Sequence, residues 1–276
     1  MTAADDWRAA LAAWAIPEEI LAQAPESPWI HPPALFGVPE RIADSPSHAR
    51  AREALGDEAS VVDVGCGGGV AAMALVPPAR RLTGVDHQAA MLEMFARNAR
   101  ERGVAVDTLE GDWPDVADRA PVGDVVTCHH VVYNVSDVVP FLRALGAHAR
   151  RRVVVEMPTR HPLAPMSDAW RHFWGLERPE GPTPDDLVTV LSEMGVDAHL
   201  EVFESSATRT VDPDQAVAFT RVRLCLPASR DDEVRHFLAD HPAPATRSLA
   251  TLWWDRVSEV REGTAPHPAV IGARYP

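Results

Sequence analysis

The segment VVDVGCGGGV, residues 61–70, carries a hydrophobic run into Gly65, Cys66, Gly67, Gly68 and Gly69 and then into small residues able to start a helix. Glycines at such a junction let backbone approach a ligand closely, and the free N–H groups of a helix start bind its accepting atoms. Two carboxylates at the ends of apolar runs, Asp86 in TGVD and Asp112 in EGDW, offer further hydrogen-bond acceptors. The adjacent His129 and His130 in CHHVVYN can move a proton near neutral pH. A dinucleotide fingerprint G-x-G-x-x-G begun at Gly65 requires glycine at position 70, where Val70 stands. That departure disfavours an NAD-dependent oxidoreductase.

These groups must be positioned by an alternation of β-branched runs with helical patterns, which implies a parallel sheet with crossover helices. Strands are expected at 60–65, 81–86, from 104, from 124, at 151–158, at 199–205 and at 248–255, seven in all. Met91, Leu92, Phe95, Ala96 and Ala99 share one helical face that ends before Gly103. Ser136 and Pro140 mark the start of the helix after the fourth strand, and Thr183 with Pro184 forms an N-cap and first-turn pair. Asp212 with Pro213, and later Ser229, begin two further helices. On an extended segment His129 and His130 point opposite ways, so one of them faces the site; His130 is favoured because it begins the loop past the strand end.

Composition narrows the chemistry. The chain of 276 residues has no lysine, so Schiff-base and phosphate-loop lysine mechanisms are excluded. A formal charge of −14 disfavours general nucleic-acid binding and suits a small neutral or cationic substrate. Cys66, Cys128 and Cys225 are odd in number and far apart, which fits neither a disulfide framework nor a zinc cluster. A metal reading would recruit His31, His161 or His172, yet no spacing sets ligand geometry, and no metal is expected. With no apolar run near the roughly 20 residues of a span, and acidic residues in MTAADDWRAA, a cytoplasmic location is expected, with no membrane partner.

The pattern D-x-G-x-G-x-G, read here as Asp63, Gly65, Gly67 and Gly69, resembles motif I of the class I S-adenosylmethionine (SAM) dependent methyltransferases. The resemblance covers residues 60–158 well and the rest only in outline. It implies a seven-stranded Rossmann-like α/β sheet, mostly parallel with the last strand antiparallel, and SAM as cofactor. It implies cofactor contacts from Asp63, Gly65, Cys66, Gly67, Gly69, Asp86, His87, Met91, Asp112, Trp113 and His129. In that family the carboxylate at the position of Asp86 accepts both ribose hydroxyls, and the one at Asp112 holds the adenine amino group. CHHVVYNVSD resembles the segment facing the methyl acceptor, which makes His130 or His129 the candidate base and Tyr133 an orienting hydroxyl.

The expected organisation is an N-terminal helical lid segment over 1–45, holding Trp7, Trp14, Trp29 and Phe36, followed by a SAM-binding domain over 46–260. Insertions at about 159–183 and 206–247 complete the lid, and 261–276 is a loose tail. The expected function is methyl transfer to an O, N or C acceptor of a small molecule. A SAM-binding partner subunit without turnover is the alternative.

Overall fold

Valine-rich runs flanked by glycine and charge make the strands, and the computed structural model places seven of them in one sheet of order β3-β2-β1-β4-β5-β7-β6. It describes residues 1–29, 37–39, 41–206 and 212–256. The strands are β1 (Ser60–Val64), β2 (Arg81–Asp86), β3 (Ala105–Glu110), β4 (Gly123–His129), β5 (Ala149–Pro158), β6 (His199–Ser206) and β7 (Thr246–Asp255). The first five run parallel, and β7 lies antiparallel between β5 and β6. Order reverses at β1, with β2 on one side and β4 on the other, and this switch point is where open α/β sheets place a ligand.

Ten α-helices surround the sheet among the described residues: α1 (Ala3–Ala12), α2 (Glu18–Leu21), α3 (Pro46–Ala54), α4 (Val70–Met73), α5 (Ala89–Glu101), α6 (Val138–His148), α7 (Ser167–Trp174), α8 (Pro184–Glu193), α9 (Pro213–Arg223) and α10 (Asp231–Asp240). On α5 the buried residues are Met91, Leu92, Phe95, Ala96 and Ala99, the face read from the spacing. Burying a side chain such as Phe95 contributes about 1.5–3 kcal/mol, so this face fixes the helix against β2 and β3. Thr183 caps α8 in a capping box with Asp186, and Asp212 caps α9 through the amides of Asp214 and Gln215.

Two expectations at helix starts are corrected. Asp137, not Ser136, precedes α6 and makes no side-chain cap, because a 3-10 turn at Val132–Asn134 takes up the chain just before. Ser229 lies inside a second 3-10 turn, Ala228–Arg230, and α10 begins only at Asp231. The small residues after Gly69 make a single turn, α4, and Pro77 and Pro78 follow within a few residues.

Two apolar cores flank the sheet, and a third lies away from it. That third core joins Ile16 and Ile20 from the N-terminal segment to Trp170 and Phe173 of α7, Val217 of α9, and Val234 and Phe237 of α10. The segments expected to form a lid therefore share their own buried interior. Phe36, His31 and residues 257–276, the expected loose tail included, lie outside the described residues, as do 207–211 of the second insertion.

Candidate active site

At the carboxyl end of β1 the chain turns through three glycines of positive φ, Gly65 (68°), Gly67 (50°) and Gly69 (96°). A Cβ at Gly65 would lie 2.4 Å from Cγ2 of Val131, and one at Gly69 would lie 2.8 Å from the ring of Phe95. Only glycine meets both the dihedral and the space. Amides of Gly65 and Cys66 donate to the carbonyl of Val85, and Asn98 on α5 donates Nδ2 to the carbonyl of Gly68 at 2.8 Å. The loop is thus stitched to β2 and α5 before any ligand arrives.

Asp86 ends β2 beside this loop. Its Oδ2 accepts the amide of Gly67 at 2.9 Å and its Oδ1 accepts the amide of Gln88 at 3.0 Å. A carboxylate has about four lone-pair directions, so both oxygens keep capacity for the paired hydroxyls of a ribose. Exposed His87 lies 3.8 Å from Oδ1 through Nδ1. Asp112 is exposed just past the end of β3, Met91 is buried on α5, and Cys66 is buried within the loop. Burial pushes the Cys66 thiol up, which leaves it inert as a nucleophile.

Asp63 is buried within β1, where Oδ1 accepts the Thr127 hydroxyl of β4 at 2.8 Å. It acts across the strand pair at the switch point, supporting the loop from behind. Burial pushes its carboxyl up to about 7. Trp113 donates Nε1 to the carbonyl of Phe141 at 3.4 Å and meets His148 edge-on at 5.0 Å, so its ring packs on α6.

The histidine pair departs from the expected alternation. His130 takes a φ of 62°, a left-handed turn that brings both imidazoles to one carboxylate, Glu156 of β5. Nε2 of His130 lies 3.2 Å from Oε1 of Glu156, and Nδ1 of His129 lies 3.9 Å from the same oxygen. The side chain of His130 is 38% exposed, whereas those of His129 and Glu156 are 9% and 8% exposed. His130 therefore presents its ring to solvent, and His129 faces inward against His48 of α3, ring centroids 5.8 Å apart. Burial pushes His129 down to about 4, so it is neutral at pH 7. Burial alone would raise Glu156, but the imidazoles of His129 and His130 reverse this and hold it well below the ordinary carboxylate range.

Tyr133 does not present its hydroxyl. The ring is buried and Oη donates toward the carbonyls of Pro158 and Pro182, 3.0 and 3.1 Å away. That placement engages the hydroxyl with backbone and does not leave it free for the orienting role expected. Trp7 stacks on it at 6.0 Å and donates Nε1 to the carbonyl of Val135 at 2.9 Å. Trp14 stacks on His161 at 4.0 Å and donates Nε1 to Gly181, while the Arg178 guanidinium lies over Trp14 and Trp170 at 5.1 and 5.3 Å. Trp29 is exposed. Among the described residues no group of three His, Cys, Asp or Glu side chains could hold a metal ion.

Glu156 was not legible as a site residue by motif. Its signal was a lone carboxylate inside the apolar run VVVEMP, since a buried charge requires partners.

Residues 61–151, the span that holds the glycine loop, Asp86 and both histidines, match the family model described as a methyltransferase domain. Over that span the chain is similar to methyltransferase domains. The match bears out the resemblance carried by Asp63, Gly65, Gly67 and Gly69, and with it SAM as the cofactor that the loop suits. The ubiquinone biosynthesis O-methyltransferase of Azorhizobium caulinodans is 36% identical over 86 residues, covering 31% of this chain and 34% of that protein. The protein of the same name from Methylobacterium sp. is 32% identical over 113 residues, covering 40% and 45%. The chain thus matches less than half the length of these curated relatives. The solved structure of YjhP from E. coli has a TM-score of 0.50 at 15% identity, covering 87% of this chain and 100% of that one, a likeness of fold. The matched span covers the sheet from β1 to the start of β5; the aromatic N-terminal segment and the third core lie outside it.

Proposed function

We propose that the chain is a SAM-dependent methyltransferase acting on an O, N or C acceptor of a small molecule. The observation that carries the reading is the Asp86 carboxylate bonded to the amide of Gly67, at the mouth of a loop that only glycine can form. Asp86 would accept the ribose hydroxyls, Asp112 the adenine amino group, and the backbone of 65–69 would pass beside the remainder of the cofactor. Bound SAM would supply a methyl group already activated on a sulfonium, so the protein's main task is alignment. His130, the exposed ring of the pair, is the candidate base toward the acceptor.

The segments holding Trp7, Trp14, Trp170 and Phe173 are proposed as the lid, since Trp7 bonds to the loop leaving β4, Trp14 stacks on His161 after β5, and Ile16 and Ile20 share a buried core with Trp170 and Phe173. The net charge of −14 supports a small-molecule acceptor over RNA or DNA. No helix of the described residues is long and apolar enough to cross a membrane, and a cytoplasmic location belongs to the same proposal.

Incubation with methyl-labelled SAM and a metabolite extract tests the reading. Transfer of label to a small molecule supports it. Tight SAM binding with no transfer to any fraction supports the partner-subunit alternative instead.

A further inference from the structure

We propose that Glu156 is a positioning residue that fixes His130 with its Nε2–H turned inward and its Nδ1 lone pair turned toward the acceptor. The inference deepens the methyl-transfer reading and rests on it.

Glu156 ends up inside the protein with donors on both oxygens. Nε2 of His130 approaches Oε1 at 3.2 Å, and the Ser45 hydroxyl donates to Oε2 at 3.3 Å. Ser45 is also the N-cap of α3, accepting the amide of His48 at 3.3 Å, so the positive end of a nine-residue helix faces the carboxylate. His129 flanks the group and is neutral at pH 7. The carboxyl is held ionised, and an ionised carboxylate can only accept. The ring nitrogen facing it must therefore carry the proton, which in a neutral imidazole leaves Nδ1 as the bare base.

The backbone is bent to make this pair. His130 holds a φ of 62° and its amide donates to the carbonyl of Glu156 at 2.7 Å, so main chain and side chain engage the same residue. A left-handed non-glycine residue costs roughly 1–2 kcal/mol, and the strain sits where the site needs the ring re-aimed. In the step this serves, the proton leaves an O–H or N–H bond of the acceptor for the Nδ1 lone pair. The electron pair of that bond stays on the acceptor, and the imidazolium is balanced by the Glu156 carboxylate. The acceptor class is thus one with a proton to lose, a hydroxyl or an ammonium.

Nitrogen-15 NMR of the full chain reads the arrangement without knowledge of the acceptor. The expected result is a slowly exchanging ring proton on Nε2 of His130 with Nδ1 unprotonated, and exchange at least about tenfold faster in Glu156→Ala. Ser45→Ala, which leaves the carboxylate in place, should retain the proton on Nε2. A wild-type ring protonated on Nδ1, a proton on Nε2 that exchanges freely with water, or exchange unchanged in Glu156→Ala overturns the proposal. Calorimetry with S-adenosylhomocysteine on the same wild-type sample reads the cofactor assignment separately. Absent binding overturns the methyl-transfer reading and this inference with it, whereas binding without the protected proton overturns this inference alone.

Discussion

Gly65 and Val131 touch where the glycine loop meets the segment after β4, so closely that a Cβ on the first would lie 2.4 Å from Cγ2 of the second. The proposed cofactor loop and the turn that carries His130 are therefore one packed unit. Gly65→Ala combines that overlap with a φ of 68° and should destabilise the protein by about 2 kcal/mol or more. Adding Val131→Ala should recover part of the loss, because it removes the overlap and leaves the dihedral strain. Urea unfolding of both variants measures the coupling, and strict additivity would contradict it.

Asp86→Ala should weaken S-adenosylhomocysteine binding by about 1.5–3 kcal/mol, the usual loss for a charge-assisted hydrogen bond. The same change frees the amides of Gly67 and Gln88, so the loop should also become more protease-sensitive without ligand. Titration calorimetry and limited proteolysis read the two effects. Unchanged affinity would remove Asp86 from the cofactor site.

With the acceptor found by the labelled-SAM screen, His130→Ala should lower turnover by about 100-fold or more, leave SAM affinity nearly unchanged, and recover partly as pH rises. A loss below about 10-fold with an unaltered pH profile would mean that alignment alone drives transfer. His130→Gly should be just as inactive yet more stable than His130→Ala by about 1 kcal/mol, since glycine adopts the left-handed turn freely. Equal stabilities would contradict the strain.

The Asp63 carboxyl has an ordinary value of 3.8 and burial raises it to about 7 in the fold. Between those values the folded chain holds a proton that the unfolded chain has lost, so this group's contribution to stability falls as pH rises through the window and is level above it. His129 and His161 act oppositely: burial lowers each from 6.5 to about 4, and stability from them is lost as pH falls through that range. Asp63→Asn keeps an acceptor for Thr127 and removes one titration. Its stability relative to the wild type should therefore climb from about pH 4 to about pH 7, measured by urea unfolding at stepped pH. A difference that stays constant with pH would refute the raised carboxyl.

Much of the sheet was readable because each strand is a β-branched run cut off by glycine or charge, and α5 because five apolar residues fall on one helical face. The proposed cofactor residues were readable as a spacing, Asp63 to Gly69 and then Asp86. The acceptor side was less so. That one histidine of the pair is exposed and the other buried was readable from their adjacency; that both rings approach one carboxylate was not, because the left-handed turn at His130 and the position of Glu156 on the neighbouring strand leave no mark in CHHVV. Tyr133 was misjudged for a similar reason, as its hydroxyl partners, Pro158 and Pro182, lie 25 and 49 residues away. The helix starts at Ser136 and Ser229 failed where a 3-10 turn shifted the first α-helical residue, a competition that capping preferences do not resolve.

The central claim is a SAM site at the glycine loop, and titration calorimetry of the full chain with S-adenosylhomocysteine and with NAD tests it most directly. The account predicts binding of S-adenosylhomocysteine in the micromolar range, about −8 kcal/mol, and none of NAD. Tight NAD binding with no response to S-adenosylhomocysteine would contradict it.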